Sequence, residues 1–470
     1  MKRVLNATPL LLLVWALGCQ DQGADPTAVR PSFAAASAAA ACPSHATFVA
    51  SDEASLEAAV AAAHPHDTIA LKGMIDLTVA PEVFVETDGL TFTCATPGSG
   101  LSAEPETVSW LFVILSRHVT IQGLTLDAAN PVSGAVVAFN GVEGPFTGFA
   151  EDVRLIGNHV RCIGQHIEAC ISIRNDAAGV PGVLISRNTF EAEPTQTTIE
   201  LIGVSDGHVD ANTITGGLGG SADPTDFIAV SGGRFTRNVV QCASVCLFAD
   251  GSPGLVVAAN QFQASVAASG VHLQDGTDGD SVVGNSVIAT APSVVPALGG
   301  IRLRDGASAV VADNVVSGPW ANSIALTNLT GGDVEQNSLR GAARFGIGVS
   351  TGVSLIPISM TGNIFRANRV SGAAVAGVSV QYACRNSFVG NDLQGNAGNV
   401  GLVFKDSTGA NTFAGDAGLV VDNGAFDCDG DGLNDRNVIS GPGMTRYGLR
   451  LGGAASVGDP QRAVHGIAIK

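Results

Sequence analysis

The chain has 470 residues, 46% of them apolar and only 14% charged, with 59 glycines and a formal net charge of −18. So few cations argue against nucleic acid as a partner, because binding phosphates needs clustered Lys and Arg to replace counterions. A single domain of this length is reasonable only where each part contacts its neighbours, as in a coil of repeats.

The chain opens "MKRVLNATPLLLLVWALGCQ", with Lys2 and Arg3 ahead of an apolar run from Pro9 to Leu17. A charged stretch followed by so short an apolar one reads as a secretory signal over residues 1–18, too short for a membrane span. Gly18-Cys19 resembles a bacterial lipobox, which implies cleavage before Cys19 and acylation of its thiol. Ala16 stands where that motif has Leu, so a plain secretory signal is the alternative. Gln20 in place of Asp implies, by the sorting rule of that lipoprotein class, delivery to the outer membrane. Residues 19–41, polar and Ala-rich, read as a flexible tether to a domain over 42–470. With no second apolar span, the lipid is the expected membrane attachment.

Next comes "SDEASLEAAVAAAHPHDTIALKG", which reads as a short amphipathic helix over about 51–63. Ser51 is the expected N-cap, Asp52 and Glu53 favour the first-turn dipole, and Leu56 and Val60 share a face.

From Leu155 onward a pattern recurs: apolar, two residues, Asn, one residue, apolar. Its asparagines are Asn158, Asn188, Asn212, Asn238, Asn260, Asn285, Asn314, Asn337, Asn363 and Asn391. The period averages about 26 residues, within the range of solenoid repeats. Between copies lie stretches of period-2 alternation, such as "GVHLQDG", "GIRLRDG" and "GVSVQYA". Two or more short strands per repeat leave no room for a crossover helix. A coil satisfies both facts if each repeat makes one turn and pairs in parallel with the next, about 4.8 Å along the axis. Stacked asparagine amides would then satisfy one another at a corner, where Asn also tolerates the bend. The alternative is that each Asn is a surface turn residue.

These repeats resemble the right-handed parallel β-helix repeats of the pectin-lyase-like superfamily, over roughly residues 45–455. The resemblance implies an all-β right-handed solenoid whose open N-terminal end is plugged by the helix. It says little of function, since lyases, hydrolases, adhesins and passive surface proteins share the coil. "HVTIQGLTLD" also looks like an early coil, with Leu124 where Asn would stand, so the ladder is expected to begin after it and the regular coils to run over about 118–455.

Of the nine cysteines, lipidation of Cys19 leaves eight, which an exported protein can oxidise. Cys162 with Cys170 and Cys242 with Cys246 read as local disulfides across a corner loop. Cys42 with Cys94 and Cys384 with Cys428 follow by elimination.

In the alternating strands the apolar residues face inward and the residues between them stack outward rung over rung. The outward positions so read include Glu200 and Ile202, Ala229 and Ser231, Leu247 and Ala249, and Val403 and Lys405. Most of that face is bland. The exception is His272, Gln274, Arg302 and Arg304 on two adjacent rungs, with Asp275 and Asp305 at their ends. A polysaccharide lyase needs a cation to neutralise a uronate carboxylate and a base for the adjacent proton, roles that Arg302 or Arg304 and His272 can fill. The structural alternative is a set of exposed cross-strand ion pairs.

Near the end, "DCDGDGLND" places Asp427, Asp429 and Asp431 at positions 1, 3 and 5 of an EF-hand-like loop, with a carbonyl at Leu433 and Asp435 at position 9. It resembles the short calcium loops of extracellular thrombospondin-type repeats, which implies calcium. Val438 replaces the bidentate Glu of position 12, so an acidic turn closed by Cys428 is the alternative. The reading is an exported β-helix module with a structural or ligand-binding role, a glycan being the expected ligand. The rival is a lyase or glycoside hydrolase acting on an acidic polysaccharide through His272, Arg302 and Arg304.

Overall fold

A computed structural model describes residues 42–447, apart from 44, 79–81, 104–108, 129–133, 144–145, 164–168, 176–178, 193–196, 218–222, 266–268, 293–298, 352–359, 406, 417 and 442–444. The expected signal peptide, Cys19 and the tether lie outside the described residues, as do the last residues of the expected coils.

Most coils contribute three strands. Two short ones flank the Asn corner, as Val256–Ala258 and Gln261–Ala264 flank Asn260. The third, such as Ser269–Gln274, lies in a second sheet. Strand by strand each pairs in parallel with its successor one coil on: Val256 with Ser281, Gln261 with Ser286, Val271 with Ile301. Parallel pairing begins at Phe48–Ala50 with Thr68–Leu71, well before the first coil the repeat pattern reveals. Those early coils carry Gly73, Ser99 and Leu124 at the corner that Asn158 later occupies, so no asparagine marks the repeat there.

The asparagines do form an inward ladder. Each side-chain oxygen accepts the backbone N–H of the Asn one coil earlier, as Asn260 accepts from Asn238 at 2.8 Å and Asn285 from Asn260 at 2.9 Å. Each amide nitrogen donates back to a carbonyl of the preceding coil, Asn260 to Phe235 at 2.8 Å. Buried polar groups are thereby satisfied along the whole column. The ladder opens where Leu124 donates its N–H to Asn158 Oδ1, at 3.0 Å.

Two points differ from the sequence reading. The bend is not made by the Asn: the residue before it holds the left-handed conformation, as at Arg187, Ala211, Arg237, Ala259 and Asp313. And Asn363 is not in this ladder. Asn337 bonds Asn368, which bonds Asn391. Asn363 starts a second ladder at the preceding corner, running through Asn386 and Asn411 to Asn437. The run Met360 to Phe365 matches the repeat pattern as well as Phe365 to Val370 does, because two corners five residues apart now both carry Asn.

Inside the coil the core is one continuous apolar cluster, with stacked rings at Phe365 and Phe388, centroids 4.4 Å apart. The N-terminal helix is Glu53–Ala62, and its buried Leu56 and Ala59 join the same core. Asp52, not Ser51, is the N-cap: its carboxylate accepts from Ser55 N at 2.8 Å while Ser55 Oγ accepts from Asp52 N at 3.1 Å. A reciprocal box satisfies two end groups at once, which Ser51 one residue earlier cannot do.

Candidate functional site

The outward face of the second sheet is where side chains from successive coils line up. One column runs Ser172, Glu200, Asp226, Phe248, His272, Arg302, Ala325, Gly348, Ser379 and Val403, each in register with the next. Two of its members correct the sequence reading. In the coils of Thr225–Ile228 and Val245–Asp250 the outward residues are Asp226 with Ile228 and Phe248 with Asp250. Leu247 and Ala249 face the core, and Ala229 and Ser231 lie beyond the strand. A one-residue slip sends every side chain to the other face, and here it concealed two carboxylates and an aromatic ring.

Beside this column lies a groove of about 480 Å³ lined by Arg302, Arg304, Arg344 and Lys405, with Asn322, Thr327, Ser350, Ser379 and Gln381 between them and Phe345 at its floor. Arg344 and Lys405 each place their charge 5.3 Å from the centre of the Phe345 ring. Two cations on one ring repel, and burial followed by the nearness of Arg344 holds Lys405 below its ordinary pKa. Burial and Arg304 likewise lower Arg302. Arg304 is paired with Asp305 at 2.5 Å. Of the residues lining the groove, two have a buried side-chain atom with no partner among the described residues: Arg302, at Nε, and Asn322, 7% exposed, at its side-chain oxygen. The groove therefore offers cations and an open acceptor, the complement of an anion that also carries hydroxyls. Arg344 escaped sequence reading because it precedes its strand, Phe345–Ser350, and so falls outside the alternating pattern.

His272 shares the column with Arg302 but is buried, 7% exposed, with its ring perpendicular to Phe248 at 5.4 Å. Burial, reinforced by Arg302 and Arg304, lowers its pKa to about 4, so it is neutral at pH 7. On the other side of Phe248 stands a carboxylate group of opposite character. Asp226 is raised to about 7 by burial, with Asp223 and Glu200 adding to the effect. Asp223, held by Ser244 Oγ at 2.8 Å, is raised by burial, and Glu200 accepts from Ser172 Oγ at 2.8 Å.

The acidic loop near the C-terminus gathers Asp427, Asp429 and Asp431, whose nearest oxygens all lie within 4.8 Å of one another. Asp427 accepts from Gly432 N at 2.9 Å and Gly430 N at 2.7 Å, which holds its pKa down. Asp435 stands apart from that group: its carboxylate turns to the loop base and accepts from Cys428 N at 3.1 Å. Leu433 donates its N–H to Asp431, and its side chain is exposed. Disulfides join Cys42 to Cys94, Cys162 to Cys170, Cys242 to Cys246 and Cys384 to Cys428, the last tying this loop to the coil.

Coil, ladder and stacked outward columns together define a parallel β-helix, and a family model described as a right handed beta helix region matches residues 245–426. The fold is thus a right-handed parallel β-helix. Among solved structures, the chain is similar to a periplasmic alginate epimerase, with 13% identity over 82% of this chain and 77% of that one and a TM-score of 0.36. It is similar to the A-module of a mannuronan C-5 epimerase from Azotobacter vinelandii, with 16% identity, coverage of 85% and 94%, and a TM-score of 0.36. A polysaccharide lyase of the PL6 family from Pseudopedobacter saltans gives 11% identity, coverage of 87% and 97%, and a TM-score of 0.40. No curated protein sequence matches the chain significantly.

Proposed function

We propose that this is an exported β-helix module that binds an acidic polysaccharide in the groove of Arg302, Arg304, Arg344 and Lys405. The observation that carries the reading is the convergence of four cations on one groove of a chain whose net charge is −18. Arg302 and Lys405, lowered by burial and then by a neighbouring cation, lose that repulsion when a carboxylate enters. Neutral Thr327, Ser350, Ser379 and Gln381 supply partners for sugar hydroxyls. Four disulfides support export to an oxidising compartment. Attachment through a lipid on Cys19 at the outer membrane belongs to the same proposal, and among the described residues no helix is long and apolar enough to cross a membrane.

We assign calcium to the loop of Asp427, Asp429 and Asp431, whose three converging carboxylates suit a hard cation. The carbonyl of Leu433 remains available to it, whereas Asp435 would have to turn from Cys428.

Binding is tested by titrating the protein with polyuronates and with neutral glucans of matched length. Polyuronates are expected to bind and the neutral chains not, with Lys405→Ala and Arg302→Ala each raising Kd at least fivefold. Equal binding of both polymer classes, or variants indistinguishable from the parent, would overturn the reading.

A further inference from the structure

The strands that lead into the Asn corner turn two columns of side chains outward, on the sheet that does not carry the groove. One column runs Arg234, Val256, Ser281, Val310 and Asp333. Beside it runs Thr236, Ala258, Val283, Ala312 and Glu335. The three central rungs thus present only Val, Ala and Ser. Charge returns two rungs from the centre on both sides, and with opposite sign: Arg234 ahead of it, Asp333 and Glu335 behind it. One rung further out, the second column carries Asp210 at one end and Arg366 at the other. An uncharged centre with charges that invert about it is the pattern of a surface complementary to itself.

We propose that a second copy of this chain packs on this face with its solenoid antiparallel, about a two-fold axis that lies in the interface and follows the strand Ser281–Val283. Such an axis sets each rung against the rung equally far on the other side and keeps every residue in its own column. Arg234 then meets the partner's Asp333, Thr236 meets the partner's Glu335 and Asp210 meets the partner's Arg366. Val256 lies on the partner's Val310, and Val283 on the partner's Val283. No like charges face each other in these columns over seven rungs, and the alternatives are worse. Sliding one copy by a single rung sets Arg234 against the partner's Ile364 and Asp333 against the partner's Val256. A two-fold axis along the solenoid exchanges the columns and sets Asp333 against the partner's Glu335, a like-charge contact that disfavours the parallel arrangement. Asp278, in the loop that leads into the central rung, turns its carboxylate onto the backbone N–H of Ala307 at 2.7 Å and so belongs to the corner and not to the face. Seven rungs span about 29 Å, and a three-residue strand with a corner residue at each end about 16 Å. The contact therefore covers about 900 Å² in all, below the size of a permanent interface and suited to reversible association. Because the groove belongs to the other sheet, both grooves of such a dimer stay open.

Sedimentation velocity of the full chain over a range of concentrations tests this, with melting curves to show that each variant is folded. The parent is expected to pass reversibly from monomer to dimer as concentration rises. Arg234→Glu and Asp333→Arg each set like charges opposite one another twice per dimer, and each is expected to raise the dimer Kd at least tenfold. An equimolar mixture of these two variants is expected to return to within threefold of the parent, since every contact in the mixed dimer again joins opposite charges. Val283→Lys places two cations together on the axis and is expected to leave only monomer. The recovery in the mixture is specific to the antiparallel pairing, because substitutions that merely damaged each copy would not correct one another. A parent that is monomeric at every concentration, or a dimer that tolerates Val283→Lys, overturns the proposal. So does a mixture that dimerises no better than either variant alone while both are folded.

Discussion

At the scale of single residues, the corner that later carries Asn363 holds a carboxyl in an earlier coil. Asp280 is 1% exposed and accepts from Leu255 N at 2.9 Å, as Asn363 accepts from Gly332 N at 2.8 Å. Burial raises Asp280 from 3.8 to about 7. Its folded pKa is therefore above its unfolded one. The stability tied to its proton is fully present below pH 3.8, declines as the unfolded chain ionises, and is lost once pH passes about 7. Asn offers the same acceptor without the charge. Asp280→Asn is expected to match the parent near pH 4 and to exceed it by about 1–3 kcal/mol at pH 8. Unfolding curves at the two pH values check this, and a variant less stable than the parent at pH 8 would show that the carboxylate is already well solvated there.

At the scale of elements, the ladder was legible because amides stacked at one corner must recur once per coil between inward apolar residues. That periodicity survives loops of unequal length. It failed at Asn363, where a second corner five residues away has the same local spelling, and only the pairing of Val334 with Phe365 decides between Asn363 and Asn368. The outward face was legible at His272 and Arg302, which alternate with unmistakable Val, Ile and Leu. It was not legible at Asp226 and Phe248. "TDFI" and "VCLFAD" have apolar residues of both parities, and only the neighbouring strands fix which parity faces in. The acidic loop was legible from its spacing, except that Asp435 bonds Cys428 N. Its proposed calcium site yields a prediction at this scale. With position 12 lacking its Glu, affinity falls in the weak range of extracellular modules, about 10⁻⁴–10⁻³ M. Millimolar calcium is expected to raise the melting temperature, and a chelator to reverse it. Asp429→Asn, which leaves the Cys384–Cys428 disulfide and the Asp435 bond in place, is expected to abolish the shift. A shift that persists in Asp429→Asn would place the ion elsewhere.

At the scale of the whole molecule, the groove and its surroundings have opposite sign. A chain of net charge −18 repels a polyanion at long range, while four cations attract it at contact. These two terms respond to salt over different distances. At about 0.01 M salt the screening length is about 30 Å, so an approaching polyuronate feels the acidic body as a whole. At about 0.1 M it is about 10 Å, shorter than the four rungs that separate Arg302 from Lys405, and the repulsion is cut off while the contact attraction persists. At about 1 M it is about 3 Å and the contact attraction between partly exposed charges also weakens. Affinity for a polyuronate is therefore expected to pass through a maximum near physiological salt, with the low-salt limb expressed in a slower association rate. Association and dissociation measured across that range decide the matter. A steady decline from the lowest salt upward would mean that the polymer never meets the acidic body, and that the groove opens on a side of the molecule from which the carboxylates are screened.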